Sequence, residues 1–229
     1  MTPAPTEAPV DLSGRFVLVT GASRGLGRAV VRAVAGAGAR TIVTARTRGA
    51  LEELDDELRG EGASLTLLPL DLCDGDAVER IGPSIHARFG RLDALVHCAA
   101  QLGTLTPTQQ LDPMVLESTV RLGAFATQRL IRTTDPLLRA APAGTAVFVD
   151  DPFAGIGRPF AAAYTAAKAA QRAIVEAWAA ENRRTSMRIH LFAAEPMRTR
   201  LRRAAFPGEA SDARPEPEAM AGTIMRLLV

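Results

Sequence analysis

Short apolar runs alternate with helix-like segments along almost the whole chain, and this alternation limits the possible folds more than any other feature. Six apolar runs are typical of buried strands, at residues 16–20, 41–45, 65–70, 94–98, 146–149 and 188–193. Helices are expected at residues 25–37, 49–59, 76–89, 112–138, 160–182 and 216–228, with a kink or restart at Gly82-Pro83. Apolar strands alternating with helices predict an α/β fold, a doubly wound parallel sheet of six or seven strands with helices on both faces.

The sequence predicts one domain. It has 229 residues, and no linker, repeat or low-complexity block divides it, so we expect a single domain over residues 12–229. Residues 1–11 are rich in Pro, Ala and Thr and have no signal-peptide pattern, and we expect them to form a disordered tail.

Charge, hydropathy and cysteine content argue against several classes of function. The formal net charge is +2 and the arginines are scattered, so we expect no nucleic-acid partner. No apolar run approaches the length of a membrane span. The two cysteines, Cys73 and Cys98, fit free thiols in a reducing compartment, which favours a cytoplasmic location. No cluster of side chains has metal-ligand spacing, and no metal is expected.

A glycine-rich turn joins the first predicted strand to the first predicted helix. Its sequence is Thr20-Gly21-Ala22-Ser23-Arg24-Gly25-Leu26-Gly27. Glycines let the backbone approach a pyrophosphate closely, and the helix N-terminus offers free amides. The position of the turn therefore predicts a dinucleotide site, although a purely structural strand-to-helix turn is the alternative.

The end of the second strand indicates which dinucleotide would bind. A site that prefers NAD places an acidic residue here, to bind the ribose 2′-hydroxyl. The sequence instead reads Thr44-Ala45-Arg46, and arginine suits the geometry of a phosphate. Arg46 and Arg24 could reach a 2′-phosphate from two sides, which predicts NADP(H). The alternative is that both are solvated surface arginines.

The only tyrosine and the only lysine of the chain stand one helical turn apart, as Tyr164 and Lys168. Residues at this spacing share one face of a helix. An ammonium group beside a phenol favours the phenolate and lowers its pKa. The pair therefore predicts a proton donor and acceptor usable near neutral pH.

These motifs together resemble the short-chain dehydrogenase/reductase family, whose TGxxxGxG and YxxxK patterns this chain matches from about Leu12 to its last residue. The resemblance implies a Rossmann-type fold and a reaction that interconverts a carbonyl and an alcohol. It also implies roles for individual residues. Tyr164 would transfer the proton and Lys168 would bind the nicotinamide ribose. Asp71 would contact the adenine and Thr199 the nicotinamide carboxamide, and Leu72 and Ala99 would also lie in the cofactor site.

The chain departs from the family pattern around the reacting groups. Asp151 stands where the family has the serine that polarises the carbonyl, and Arg121 stands where it has an asparagine of the proton relay. Ala194-Glu195 replaces a Pro-Gly pair, and Ala100 replaces a glycine. The sequence also stops at Val229, where the family usually adds a seventh strand. These departures make the chain a divergent member with an incomplete catalytic tetrad.

Asp151 changes the chemistry that the tyrosine can perform. A carboxylate about 4 Å from the phenol oxygen, at an effective dielectric near 20, would oppose the phenolate by about 4 kcal/mol. Three arrangements remain open. Arg121 could pair with Asp151 and restore neutrality, a protonated Asp151 could donate to a carbonyl as serine does, or Asp150 and Asp151 could both point into solvent.

The expected function is therefore an NADP(H)-dependent oxidoreductase acting on a small-molecule carbonyl or alcohol, with Tyr164, Lys168, Asp151 and Arg121 as catalytic candidates. The alternative is a catalytically impaired or inactive member that serves as a dinucleotide-binding or protein-interaction scaffold. Because family members commonly pair through their long helices, we expect a homodimer formed by residues 112–138 and 160–182.

Overall fold

The computed structural model describes residues 10–210 and 212–229. Its sheet contains six parallel strands, β1 (Phe16–Thr20), β2 (Arg40–Ala45), β3 (Leu65–Pro69), β4 (Ala94–His97), β5 (Thr145–Asp150) and β6 (Arg188–Ala193). Their order across the sheet is β3-β2-β1-β4-β5-β6. This confirms the expected Rossmann-type sheet, and each predicted strand is found within one or two residues of its expected bounds.

Nine α-helices connect and follow these strands in the described part of the chain: α1 (Gly25–Gly36), α2 (Arg48–Gly60), α3 (Gly75–Glu79), α4 (Ile81–Phe89), α5 (Pro113–Val120), α6 (Ala126–Arg139), α7 (Ala162–Glu181), α8 (Arg200–Ala205) and α9 (Pro217–Arg226). A π-helical turn, Arg121–Phe125, joins α5 to α6. None of the helices in residues 10–210 and 212–229 has the length and apolarity to cross a membrane.

Helices cover both faces of the sheet because successive strand residues point to opposite sides. In β1, Val17 and Val19 pack into one core with α1, α2 and α9. The neighbouring Phe16 and Leu18 pack into a second core with α3, α4, α6 and α7. Both faces are therefore apolar, as expected for strands without polar alternation.

Two helical predictions need correction. The segment 76–89 is interrupted at Arg80, not at Gly82-Pro83, because Pro83 lies in the first turn of α4, where a missing N–H costs nothing. A Cβ on Gly82 would lie 2.2 Å from the Thr133 carbonyl oxygen, so this glycine serves close helix packing. The segment 112–138 is divided by the π-helical turn into α5 and α6.

The predicted tail at residues 1–11 falls largely outside the described residues, which begin at Val10. Val10 packs against the first core, and the Asp11 carboxylate accepts a hydrogen bond from the Ser13 amide at 2.9 Å. The prediction for residues 1–9 lies outside the described residues.

Candidate active site

The carboxyl ends of β1, β4 and β5 open into a cleft lined by the glycine-rich turn, Asp71, Lys168 and Tyr164. It lies beside the junction of β1 and β4, where the strand order reverses. This is where open α/β sheets bind their ligands.

The glycine-rich turn forms one wall of the cleft, and two of its positions must be glycine for steric reasons. Gly21 has φ +69°, and a Cβ there would lie 2.8 Å from the Ala99 backbone. A Cβ on Gly27 would lie 2.3 Å from the Gly21 carbonyl oxygen. The turn can therefore close only with glycine at both positions, and it brings the start of α1 against the cleft.

Exposed arginines flank the outer part of the cleft. Arg24 precedes α1 and Arg46 follows β2, and both line the cleft. Among residues 10–210 and 212–229, no ion pair includes either of them. Asp71, which follows β3, also lines the cleft, and its carboxylate accepts a hydrogen bond from the Cys73 amide at 2.9 Å. This end thus combines two available cations with one carboxylate.

Every residue that the sequence assigned to the cofactor lines this cleft: Gly21, Ser23, Arg24, Gly25, Leu26, Gly27, Arg46, Asp71, Leu72, Ala99, Lys168 and Thr199. Thr199 also caps α8, with its hydroxyl accepting from the Arg202 amide at 3.1 Å.

Lys168 lies buried at the inner end of the cleft. Its Nζ donates to the Val149 carbonyl oxygen at 2.7 Å and to Gln171 Oε1 at 2.9 Å. Burial lowers the pKa of Lys168 to about 8, against the opposing effect of the charges on Asp150 and Asp151. The amine is therefore fixed in position and titrates close to neutral pH.

Tyr164 lies beside it on the same face of α7 and is hydrogen-bonded to Asp151. The Tyr164 hydroxyl donates to Asp151 Oδ2 at 2.8 Å, and Asp151 Oδ1 accepts from the Phe153 amide at 2.9 Å. Burial raises the pKa of Tyr164 well above its usual value, and the Asp151 charge and hydrogen bond raise it further. The carboxylate thus acts on the tyrosine as an acceptor, so the idea that Asp151 points into solvent is wrong.

The neighbouring acid, Asp150, is neutralised separately. It is buried at the end of β5, where Arg172 donates to both of its oxygens at 3.0 and 3.2 Å. The suggestion that Asp150 points into solvent is therefore also wrong. The two adjacent carboxylates have different partners because consecutive residues of an extended chain face opposite ways.

Arg121 does not make the ion pair that the sequence suggested. It lies in the π-helical turn, where its half-exposed side chain pairs with Glu117. Its neighbour Leu122 lines the cleft, and Arg121 does not. The expected Arg121–Asp151 pair is therefore replaced by a surface pair within α5 and the turn.

Sequence reasoning missed a cluster of aromatic and charged side chains over the inner end of the cleft. The rings of Phe153 and Phe206 meet edge to face with centroids 5.0 Å apart. The Arg202 guanidinium lies 3.6 Å from the Phe206 ring centroid and makes two 2.7 Å hydrogen bonds to Glu209. The hydrogen bonds that Arg202 donates to Glu209 raise the pKa of Arg202, with a smaller contribution from the Asp151 charge.

We call this cluster (Phe153, Arg158, Arg202, Phe206, Glu209) the lid cluster. Arg158 completes it, with its guanidinium 4.5 Å from the Phe153 ring centroid. In the sequence, this region contains a run rich in arginine at residues 198–203. The contacts join segments far apart in the chain, so no local pattern predicts them.

His97 and Cys98 lie near Lys168 but have the properties of buried structural groups. His97 Nδ1 is hydrogen-bonded to the Thr20 hydroxyl at 2.8 Å, and burial lowers the pKa of His97 to about 3. Burial raises the pKa of the Cys98 thiol to about 12. Neither group exchanges protons near neutral pH. In the described part of the chain, no three His, Cys, Asp or Glu residues are placed to hold a metal.

Comparison with known proteins agrees with this geometry. A family model described as short chain dehydrogenase matches residues 15–210. A short chain dehydrogenase of Pseudocercospora fijiensis is 34% identical over 183 residues, which cover 78% of this chain and 58% of that protein. This chain therefore matches little more than half the length of that relative.

Solved structures resemble the chain along nearly its whole length. A putative short chain dehydrogenase from Pseudomonas syringae has a TM-score of 0.92 and 30% identity, covering 96% of this chain and 91% of that one. Another from Shigella flexneri, complexed with NADP, has a TM-score of 0.92 and 28% identity, covering 96% and 93% of the two chains. The strand order, the glycine turn, the Tyr164–Lys168 pair and these matches together show that the chain belongs to the short-chain dehydrogenase/reductase family.

Proposed function

We propose that this protein is an NADP(H)-dependent oxidoreductase that interconverts a carbonyl and an alcohol on a small molecule, with Tyr164 as the proton donor and acceptor. One observation carries the proposal. The only tyrosine and the only lysine of the chain lie together at the inner end of a cleft whose outer part has the glycine turn and two arginines without ion-pair partners among the described residues.

The residues of the cleft fit a dinucleotide that carries a 2′-phosphate. The turn at Gly21 and Gly27 leaves room for a pyrophosphate against the start of α1. Arg24 and Arg46 are available for the phosphate, and Asp71 and Leu72 would border the adenine. The Shigella flexneri structure complexed with NADP supports the same assignment. The cofactor would supply or accept the hydride when bound.

Proton transfer would depend on two residues of α7 and on Asp151, which follows β5. In the direction of reduction, Tyr164 Oη would give its proton to the substrate oxygen, and in oxidation it would take the proton back. Lys168, held by Val149 and Gln171, favours the phenolate through its charge. Asp151 opposes the phenolate, because its carboxylate accepts the same hydroxyl proton.

The second candidate, a catalytically impaired scaffold that binds a dinucleotide or a protein, has one observation in its favour. The Tyr164 hydroxyl is already engaged by Asp151, and its pKa is raised by burial and by that carboxylate. A tyrosine that ionises only with difficulty is a weak acid-base catalyst near neutral pH.

Ligand binding and turnover distinguish the two candidates. NADPH and NADH would each be titrated by fluorescence, and NADPH oxidation would be followed with a panel of ketones, aldehydes and quinones. The enzyme requires tight NADPH binding and turnover that Tyr164→Phe removes without weakening binding. Thr165→Val is a matched control, because it removes the neighbouring hydroxyl of α7, which has no hydrogen-bond partner in the described structure. Tight binding without Tyr164-dependent turnover would support the scaffold.

We also propose a homodimer through α5, α6 and α7. Three large apolar side chains on α5 and the π-helical turn support it, because Met114, Leu116 and Phe125 are exposed, Met114 to 68% and Phe125 to 58%. Light scattering should show a dimer, and Phe125→Glu should weaken it. A monomer at micromolar concentration would contradict this arrangement.

A further inference from the structure

The inner end of the cleft offers a carboxylate where the reduction of a carbonyl needs a hydrogen-bond donor. Asp151 lines the cleft between Tyr164 and Phe153. Both of its oxygens act as acceptors, Oδ2 from the Tyr164 hydroxyl and Oδ1 from the Phe153 amide. A carbonyl oxygen becomes negative as hydride reaches its carbon, and a nearby carboxylate disfavours that charge. The same carboxylate favours a positive charge at this position.

Two other acids near the inner end are paired with cations. Asp150 is paired with Arg172 and Glu209 with Arg202. The ion pairs found in residues 10–210 and 212–229 do not include Asp151, although its charge acts on Arg202 and Lys168 nearby. Lys168 lies nearby, but its Nζ donates to Val149 and Gln171. Glu195 and Asp71 also line the cleft, but Asp151 is the carboxylate that contacts Tyr164, so a cationic substrate placed at the tyrosine would meet Asp151.

We propose that this site reduces the C=N bond of protonated imines in preference to the C=O bond of the matching ketones, with Asp151 binding the iminium N–H. The proposal rests on the NADPH-dependent hydride transfer proposed above and names the substrate class that the inner end of the cleft favours. A charge-assisted hydrogen bond from an iminium to a carboxylate is among the stronger hydrogen bonds in proteins. The carboxylate also keeps the imine protonated, and only the protonated imine is a good hydride acceptor.

The reaction balances without a further reagent. Hydride from NADPH forms a C–H bond at the iminium carbon, and the π electrons of the C=N bond become the nitrogen lone pair. The N–H proton stays on the product, so an iminium cation and NADPH give a neutral secondary amine and NADP⁺. Because no oxyanion forms, the serine that is missing at position 151 is not needed.

Tyr164 acts here as a positioning residue. Its hydroxyl donates to one oxygen of Asp151 while the Phe153 amide donates to the other. These two donors fix the plane of the carboxylate and leave the remaining lone pair of Oδ2 for the substrate nitrogen. In imine reduction, unlike the carbonyl reaction proposed above, the tyrosine keeps its proton, so a phenolate beside Asp151 is avoided.

A comparison of imines with ketones of like size tests this proposal. The probes are pyrroline and dihydroisoquinoline, set against cyclopentanone and tetralone, with NADPH binding measured first by fluorescence. We expect the wild-type protein to have a kcat/KM at least about tenfold higher for the imines. Asp151→Asn keeps an acceptor for the Phe153 amide but removes the charge, and it should lower imine turnover about a hundredfold. Asp151→Ser should raise ketone turnover.

Glu176→Gln is the matched control, since it neutralises an exposed carboxylate on α7 outside the cleft, and it should change neither rate. Faster turnover of the ketones by the wild type would overturn the imine proposal and leave the proposed oxidoreductase intact. Imine turnover that survives in Asp151→Asn would also overturn it. If NADPH does not bind, both proposals fail together. Binding without turnover of either substrate class overturns the imine proposal and favours the scaffold.

Discussion

The Tyr164 hydroxyl donates a hydrogen bond to the Asp151 carboxylate, with 2.8 Å between Oη and Oδ2. The acceptor is therefore a residue of the protein at the position where a substrate oxygen would take the proton. Whether this hydrogen bond is broken or kept during turnover determines which substrates the cleft can process. The protonation states of Tyr164 and Lys168 can be measured directly. The chain has a single tyrosine and a single lysine, so each group gives one unmixed signal.

Spectrophotometric titration should show that Tyr164 stays protonated well above its usual pKa of 10.0 in the folded protein. Burial and the Asp151 charge both favour the phenol. The folded chain keeps this proton where the unfolded chain loses it, so its contribution to stability is complete below about pH 10 and is lost as the pH rises further. Near-ultraviolet tyrosinate absorbance reports the titration. Asp151→Asn should lower the pKa, and identical curves for the two proteins would contradict the contact.

Lys168 should titrate with a pKa of about 8 in the folded protein, well below its usual 10.5. Between these pH values the unfolded chain holds a proton that the folded chain has lost, so this group makes the protein more stable as the pH rises through that window. Lysine carrying an isotope label gives a single side-chain NMR signal for the measurement. In denaturant unfolding, Lys168→Met should remove this part of the pH dependence. A titration at the usual value would show that the amine is hydrated.

Arg46→Asp should reverse the preference for NADPH over NADH. The change removes a guanidinium that is available for a 2′-phosphate and supplies a carboxylate for a ribose 2′-hydroxyl. A hydrogen bond to a charged group contributes roughly 1.5–3 kcal/mol, so NADPH affinity should fall about tenfold or more. Fluorescence titration with both cofactors measures the effect. Arg48→Ala, at an exposed arginine that pairs with Glu52, should leave both affinities unchanged.

Gly27→Ala should destabilise the protein and weaken NADPH binding. The new methyl group would lie 2.3 Å from the Gly21 carbonyl oxygen, and such overpacking costs about 1–3 kcal/mol. Gly36→Ala provides the comparison in the same helix, because its Cβ would meet no atom within 4 Å and alanine favours a helix by about 0.5–1 kcal/mol. Thermal unfolding measures both variants. Equal melting temperatures for the two would show that the turn can widen.

Sequence reasoning predicted the sheet and the phosphate-binding side of the cleft because their signals are local. A parallel strand buried on both faces is apolar throughout, and a close turn between a strand and a helix requires glycines at fixed positions. The pairing of Tyr164 with Lys168 is equally local, since one helical turn fixes it. These features depend on residues that are neighbours in the chain.

The incorrect or missing predictions concern the side-chain orientations and long-range contacts that no local sequence pattern determines. Arg121 was one suggested partner of Asp151, but it lies in the π-helical turn and pairs with Glu117, while its neighbour Leu122 lines the cleft. The lid cluster depends on contacts between Phe153, after β5, and Phe206, after α8. Such contacts form only in the assembled tertiary structure, so they cannot be predicted from the residue types in either segment alone.

The burial of Lys168 also determines how the folded protein reacts with reagents that modify amines. With one lysine in the chain and that lysine 5% exposed, acylating reagents and aldehyde fixatives find no accessible side-chain amine on the native protein. Covalent attachment through amines would therefore occur at the chain terminus alone and would leave the cleft untouched. Acylation of Lys168 would then occur only in molecules in which α7 has separated from β5. The rate of this acylation would therefore measure how often the active site opens.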